Sequence, residues 1–367
     1  MGVLRIMLAF AVLLSHLPPA SYKFISGGLA VQSFFIVSGF YMALVLGEKY
    51  RDTRTFYSNR LLRLLPTYAV AMALSAVALF GFGLTATFSR DGFIAAYRHP
   101  ATAAFLGLEN LLLVGQDLLY WFKLEPGGAL AFDPSGAQPT ETTVIAWQAL
   151  LVPQSWSLSI ELLFYAAAPS LARLRTTGLA GLAAASAALR FAGHLVPVDY
   201  GLWQGRLFPT SLFLFLFGML AHRALPRALR LPRALGWASA AALFALIATQ
   251  PLLGISGEPG RWLIYVSVTA AIPLVFSVFK DVRVDRWIGD LSYPIYLCHL
   301  LVVALVLTYE PPFPVLSAFG GVLALSVLLL LCVDRPVDRW RQARAARATA
   351  TATAAAAVGY ERRTRSG

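Results

Sequence analysis

Arg5 and His16 stand eleven residues apart in the apolar stretch that opens the chain. On a helix this is close to three full turns, so both side chains share a face, with the imidazole about 16 Å further along the axis than the guanidinium. An ionisable side chain at membrane depth costs roughly 2.5–3.5 kcal/mol on insertion scales and faces protein or a water-filled cavity rather than lipid. The pair therefore points inward. A histidine titrating near neutrality can take a proton from a hydroxyl; the alternative is a structural histidine hydrogen-bonded in the core of a bundle.

Three further groups have spacings that could do chemistry. Arg60 and Arg63 are three apart and share one helical face. They can serve only the positive-inside rule, or act as a two-pronged clamp for phosphate oxygens, which planar guanidinium groups bind through paired charge-assisted hydrogen bonds. Ser157, Glu161 and Tyr165 form a second stripe at four-residue spacing. A buried carboxylate pairs with a cation or stays protonated, so Glu161 can orient a histidine, hold an arginine or join helices. Ser292, Tyr296 and His299 form a third stripe, suited either to interhelical hydrogen bonds or to the wall of an acceptor-binding cavity.

These residues need a membrane scaffold. The 367-residue chain is 58% hydrophobic and only 13% charged, against roughly 25% charged in a soluble domain. Apolar runs at 4–19, 28–46, 66–84, 156–171, 177–195, 207–222, 234–253, 262–279, 287–307 and 315–333 approach the roughly 20 residues needed to cross a bilayer. The fold class is therefore all-α: a polytopic membrane helix bundle of about ten transmembrane helices. The first run reads as a span rather than a secretory signal, because a second apolar run follows at once.

The stretch 101–122 is apolar but carries Glu109, Asn110, Gln116 and Asp117. It is expected to be a re-entrant or surface-lying segment packed on the bundle. Residues 123–143, rich in Gly, Pro and polar side chains, read as an extracytoplasmic loop, either a lid or acceptor-recognition element or a passive connection.

The net charge of +12 sits in short clusters between spans: Lys49, Arg51, Arg54, Arg60 and Arg63; Arg173 and Arg175; Arg223, Arg227, Arg230 and Arg233; Lys280, Arg283 and Arg286; and the tail from Arg335. This is the positive-inside pattern and not a nucleic-acid face. It places both termini in the cytoplasm, with Arg90, Arg98 and Arg206 as exceptions on the other side. Cys298 and Cys332 fall within spans as small apolar residues, and neither a disulfide framework nor a metal-ligand spacing is present.

The Arg5-x10-His16 spacing is followed by Phe34-Phe35-Ile36-Val37-Ser38-Gly39-Phe40, Arg60-Leu61-Leu62-Arg63-Leu64-Leu65-Pro66, Trp156-Ser157-Leu158-Ser159-Ile160-Glu161 and Ser292-Tyr293-Pro294-Ile295-Tyr296-Leu297-Cys298-His299. In this order the blocks resemble the acyltransferase-3 family of integral-membrane acyltransferases. Residues 1–340 would form the acyltransferase domain and 341–367 a low-complexity basic cytoplasmic tail. Asp334-Arg335-Pro336 replaces the family's Glu-x-Pro, with a carboxylate one methylene shorter.

The resemblance implies acyl transfer from acyl-CoA, commonly acetyl-CoA, as donor substrate with no permanently bound cofactor. The acceptor would be a hydroxyl of a cell-envelope or exported glycan, with an antibiotic or a lipid-linked sugar as open alternatives, and the location the inner (cytoplasmic) membrane. His16, Arg5 and Glu161 would be the catalytic set, Arg60 and Arg63 the donor clamp, and Ser157, Tyr165, Ser292, Tyr296 and His299 the cavity or acceptor lining. His16 is expected to share a cavity with the basic mouth. Alternatives are a transporter or acyl-group translocator with the same residues along a polar pathway, although no duplicated halves are seen, and a scaffold in a polysaccharide-export complex.

Overall fold

The computed structural model describes residues 1–18, 24–48, 52–85, 87, 89–135 and 144–344. Lys49, Arg51, residues 136–143 of the expected loop and residues 345–367 of the tail lie outside them. The chain runs through α1 (Gly2–Ser15), α2 (Gly27–Glu48), α3 (Thr53–Phe82), α4 (Arg90–Ala96) and α5 (Pro100–Leu112) before a small sheet of β1 (Phe122–Leu124), β2 (Leu130–Phe132) and β3 (Val144–Ile145). The second half comprises α6 (Trp156–Ala172), α7 (Thr176–Ala192), α8 (Tyr200–Arg206), α9 (Phe208–Ala228), α10 (Arg233–Thr249), α11 (Gly257–Phe279), α12 (Arg283–Asp290), α13 (Ser292–Tyr309) and α14 (Pro314–Leu329).

Nine of the expected spans each overlap one of these helices, and the tenth, 287–307, takes in the end of α12 and most of α13. Seven helices are long and apolar enough to cross a membrane. α6 and α7, at 17 residues each, sit at the lower limit of about 17 for a spanning helix. α1 is shorter still, at 14 residues, because Pro18 and Pro19 follow. A proline lacks the donor a helix needs and pushes the residue before it out of the α region. His16 is thus the C-cap of α1 and not a mid-span residue. In the opposite sense, α3 begins thirteen residues before Pro66, where apolarity alone places the start of the span. Asp52 caps it, accepting from the Arg54 and Thr55 N–H groups at 3.2 and 2.8 Å. The Thr55 hydroxyl and these backbone bonds hold the Asp52 carboxyl below the usual range. That early start sets Arg60 and Arg63 on regular helix.

The core is an aromatic stack between α2, α6 and α9: Phe215 lies on Phe35 at 4.7 Å and on Phe164 at 4.2 Å. α2 and α9 cross at Gly39 and Gly218. A Cβ at Gly39 would fall 1.9 Å from the Phe215 carbonyl oxygen, and one at Gly218 would fall 2.0 Å from that of Ile36. The Ser38-Gly39 pair is therefore a backbone-to-backbone crossing that only glycine permits, and it presents Ser38 beside α6.

The polar stretch after α4 packs on the bundle as expected. At 13 residues α5 cannot span. Its end is tied down by Tyr68, whose hydroxyl donates to the Asn110 carbonyl at 2.6 Å, and by Ser159, which accepts the Gly115 N–H at 2.8 Å and donates to Asp117 at 2.5 Å. A small three-stranded sheet accompanies the expected all-α bundle. β1 pairs antiparallel with both β2 and β3, bringing Phe122 opposite Phe132 and Lys123 opposite Ile145. Strands of two or three residues carry too little alternation to be legible in sequence.

Glu109 is buried beside Asp117, and burial followed by that neighbouring charge pushes its carboxyl up to about 7. A carboxyl raised in the folded state costs no stability below its unfolded value and progressively more as pH rises from there to about 7. Glu109→Gln is therefore expected to leave the melting temperature unchanged at pH 4 and raise it at pH 8. Equal shifts at both pH values would remove this account.

Candidate active site

A cavity of about 500 Å³ lies among α1, α2, α3, α6, α12 and α13, with Lys280 and the exposed Arg286 among its lining. The volume falls in the roughly 300–1,000 Å³ range of ligand pockets. Eight of the ten residues singled out in the sequence line it: Arg5, Arg60, Arg63, Ser157, Glu161, Tyr165, Ser292 and Tyr296.

Three arginines converge on this space from two helices, Arg5 from α1 and Arg60 and Arg63 from α3. Among the described residues none of the three is within ion-pair distance of a carboxylate. Arg60 packs its guanidinium carbon 5.9 Å from the Phe56 ring and 6.0 Å from the Tyr165 ring, and its buried Nε has no partner. Glu161 and Asp290 line the same cavity beyond ion-pair distance, so the three cations are only partly balanced, and a group of this kind suits a polyanionic ligand.

Glu161 holds the far wall. Its Oε1 accepts from Ser38 Oγ and from Tyr165 Oη, each at 2.6 Å. Two hydroxyl donors on one oxygen fix the carboxylate without neutralising it, and leave Oε2 for the cavity. The Ser38 contact crosses from α2 to α6, and no periodicity argument reaches it.

Tyr296 forms the end of the cavity. Its hydroxyl donates to the Gln154 carbonyl at 2.6 Å, because a carbonyl can only accept, and so receives the Ser157 hydroxyl at 2.6 Å. Ser292 spends its hydroxyl on the Gly289 carbonyl at 2.8 Å and is a helix-end contact rather than a free donor.

His16 and His299 do not line the cavity, which corrects the expectation of a shared chamber. The two rings lie 5.0 Å apart, and the His299 ring is 5.7 Å from that of Tyr296. The order is thus cavity, Tyr296, His299, His16. Tyr296 stands in the way because its hydroxyl is anchored to both Gln154 and Ser157. In each histidine Nδ1 lies on a carbonyl of its own helix, Val12 for His16 at 2.9 Å and Tyr296 for His299 at 2.7 Å. This assigns the proton to Nδ1 and leaves each Nε2 with an unshared pair. His299 is fully buried and its Nε2 has no partner, whereas His16 is exposed.

Two contacts escaped the sequence, although their residues did not. Asp334, at the end of a π-helical turn over Leu330–Asp334, accepts a hydrogen bond from Thr67 of α3. The turn's wider winding reorients that carboxylate, so the shorter acid still finds a partner. Arg206, an exception to the charge rule, is folded inward between Tyr120 and Trp156; its position against the basic-loop pattern was the available signal.

Several membrane-length helices around an arginine-lined cavity, with a histidine pair beyond its end, define a multi-pass membrane protein with an internal polar site. Residues 1–333 match the family described as Acyltransferase domain; the chain belongs to that family and is an O-acyltransferase. It is similar to the exopolysaccharide production protein ExoZ of Rhizobium meliloti (strain 1021), with 25% identity over 340 residues that cover 88% of this chain and 93% of that protein. No solved structure matches it.

Proposed function

We propose that this enzyme moves an acyl group, acetyl in the first instance, from acyl-CoA to a sugar hydroxyl of a cell-envelope or exported polysaccharide. It would act in the inner membrane with both termini in the cytoplasm. The observation that carries this reading is the cluster of Arg5, Arg60 and Arg63, without ion-pair partners, around one cavity. A nucleotide thioester supplies the phosphates such a cluster needs, and its acyl-bearing arm extends toward Tyr296. The glycan acceptor is supported by the similarity to an exopolysaccharide production protein.

In this mechanism His16 is the base, which requires the acyl-bearing arm to pass Tyr296 and His299 to reach it. Its Nε2 takes the proton of the acceptor hydroxyl while the oxygen forms a bond to the thioester carbonyl carbon. The tetrahedral adduct then collapses with cleavage of the carbon–sulfur bond, and the thiolate leaves with the proton returned from the imidazolium. Arg5 faces the donor, and Glu161, held by Ser38 and Tyr165, is a positioning carboxylate on the cavity wall.

Purified protein supplied with acetyl-labelled acetyl-CoA and an exopolysaccharide oligosaccharide should place the label on the glycan and release free coenzyme A in equal amount. Passage of substrate across vesicles without loss of the acyl group would favour transport instead. Free acetate with no labelled glycan would point to a different acceptor.

A further inference from the structure

We propose that Arg206, clamped between Tyr120 and Trp156, forms the acceptor subsite and selects a sugar carrying an anion, either a carboxylate or a phosphate. The inference rests on the acyltransferase reading above and adds the charge of the acceptor.

The guanidinium carbon of Arg206 lies 4.0 Å from the centre of the Tyr120 ring and 3.7 Å from that of Trp156, the two rings being nearly perpendicular at 80°. The Tyr120 hydroxyl is within side-chain hydrogen-bonding reach of the guanidinium; the ring faces stabilise the cation through its π surface but cannot accept the remaining N–H groups that radiate in its plane. Nη1 is enclosed by protein and has no hydrogen-bond partner. No carboxylate among the described residues lies within ion-pair distance of it. Arg206 as a whole is half-buried, but an enclosed N–H without an acceptor is unfavourable. An incoming anion supplies the missing acceptor.

The surroundings fit a sugar. Trp147 stacks on Tyr120 at 5.1 Å with the rings 12° from parallel, so the aromatic surface continues away from the guanidinium. Broad aromatic faces with polar edges suit the apolar face of a pyranose ring. Arg206 is within electrostatic reach of His16 and of Tyr296, yet it is absent from the lining of the cavity that holds the other arginines. This cation is therefore separate from those assigned to the donor. α8 aims it: Asp199 caps that helix by accepting the Leu202 N–H at 2.6 Å, and the helix ends at Arg206 itself.

The test is isothermal titration of the full-length protein in nanodiscs with three probes: a glucuronate-containing oligosaccharide, the same oligosaccharide after carboxyl reduction, and a sugar on a short isoprenoid diphosphate. At least one anionic probe should bind about tenfold or more tightly than the reduced one, the scale of one charge-assisted contact. Arg206→Gln should bring them within about threefold, and Arg206→Lys should keep part of the preference. The preferred anion identifies the source as acidic sugar or lipid diphosphate. Equal binding of all probes by the wild-type protein, or a preference that survives in Arg206→Gln, overturns the proposal. An intact preference in a protein that transfers no acyl group would sink the acyltransferase mechanism and leave the anion site standing.

Discussion

His16→Ala is expected to lower acyl transfer by about 10²- to 10⁴-fold, the usual contribution of a positioned general base, while leaving the KM for donor within about threefold. The second half follows from position: His16 stands beyond Tyr296 and His299, outside the arginine-lined cavity. Its Nδ1 is committed to the Val12 carbonyl, so Nε2 does the work, and replacement by glutamine, which keeps polarity without a basic nitrogen, should fail equally. His299 cannot substitute, since its ring is completely buried. Steady-state kinetics with acetyl-CoA and an oligosaccharide acceptor decide the matter; a loss smaller than tenfold would remove His16 as the base.

The double variant Arg60→Ala, Arg63→Ala should show the reverse split. A hydrogen bond to a charged group contributes roughly 1.5–3 kcal/mol, so losing each guanidinium should raise the donor KM by about 10- to 150-fold, with a smaller change in kcat. Because the contact is with phosphate, the wild-type KM should rise with salt and that of the double variant should do so less. Arg60→Lys, which keeps charge but not the planar fork, should fall between. The clamp would be refuted by a donor KM that stays put in the double variant while the protein remains folded and active.

Much of the scaffold was legible because the bilayer imposes a local rule. A segment that crosses must satisfy its own backbone within one helix of fixed minimum length, so apolar run lengths located the ten helices. Helix ends were less legible, since apolarity marks what lipid surrounds and not what is helical. Polar residues 53–65 lie in α3 because Asp52 caps it, and the prolines after Leu17 cut α1 back to Ser15. The stripes on α6 and α13 were read correctly as faces. Their partners were not, because the hydroxyls that reach Glu161 and Tyr296 come partly from other helices.

By itself the sequence determined a multi-pass helical protein, its family and the helix faces that carry polar side chains, all of which depend on neighbours within a few turns. Tertiary structure alone decided that Ser38 holds Glu161, that Tyr296 divides the arginine cavity from the histidines, that His16 meets His299, and that Arg206 turns inward onto two aromatic rings. Each of these joins residues on separate helices, and the relative rotation and depth of packed helices follow from contacts such as the Gly39–Gly218 crossing, which periodicity along one segment does not encode.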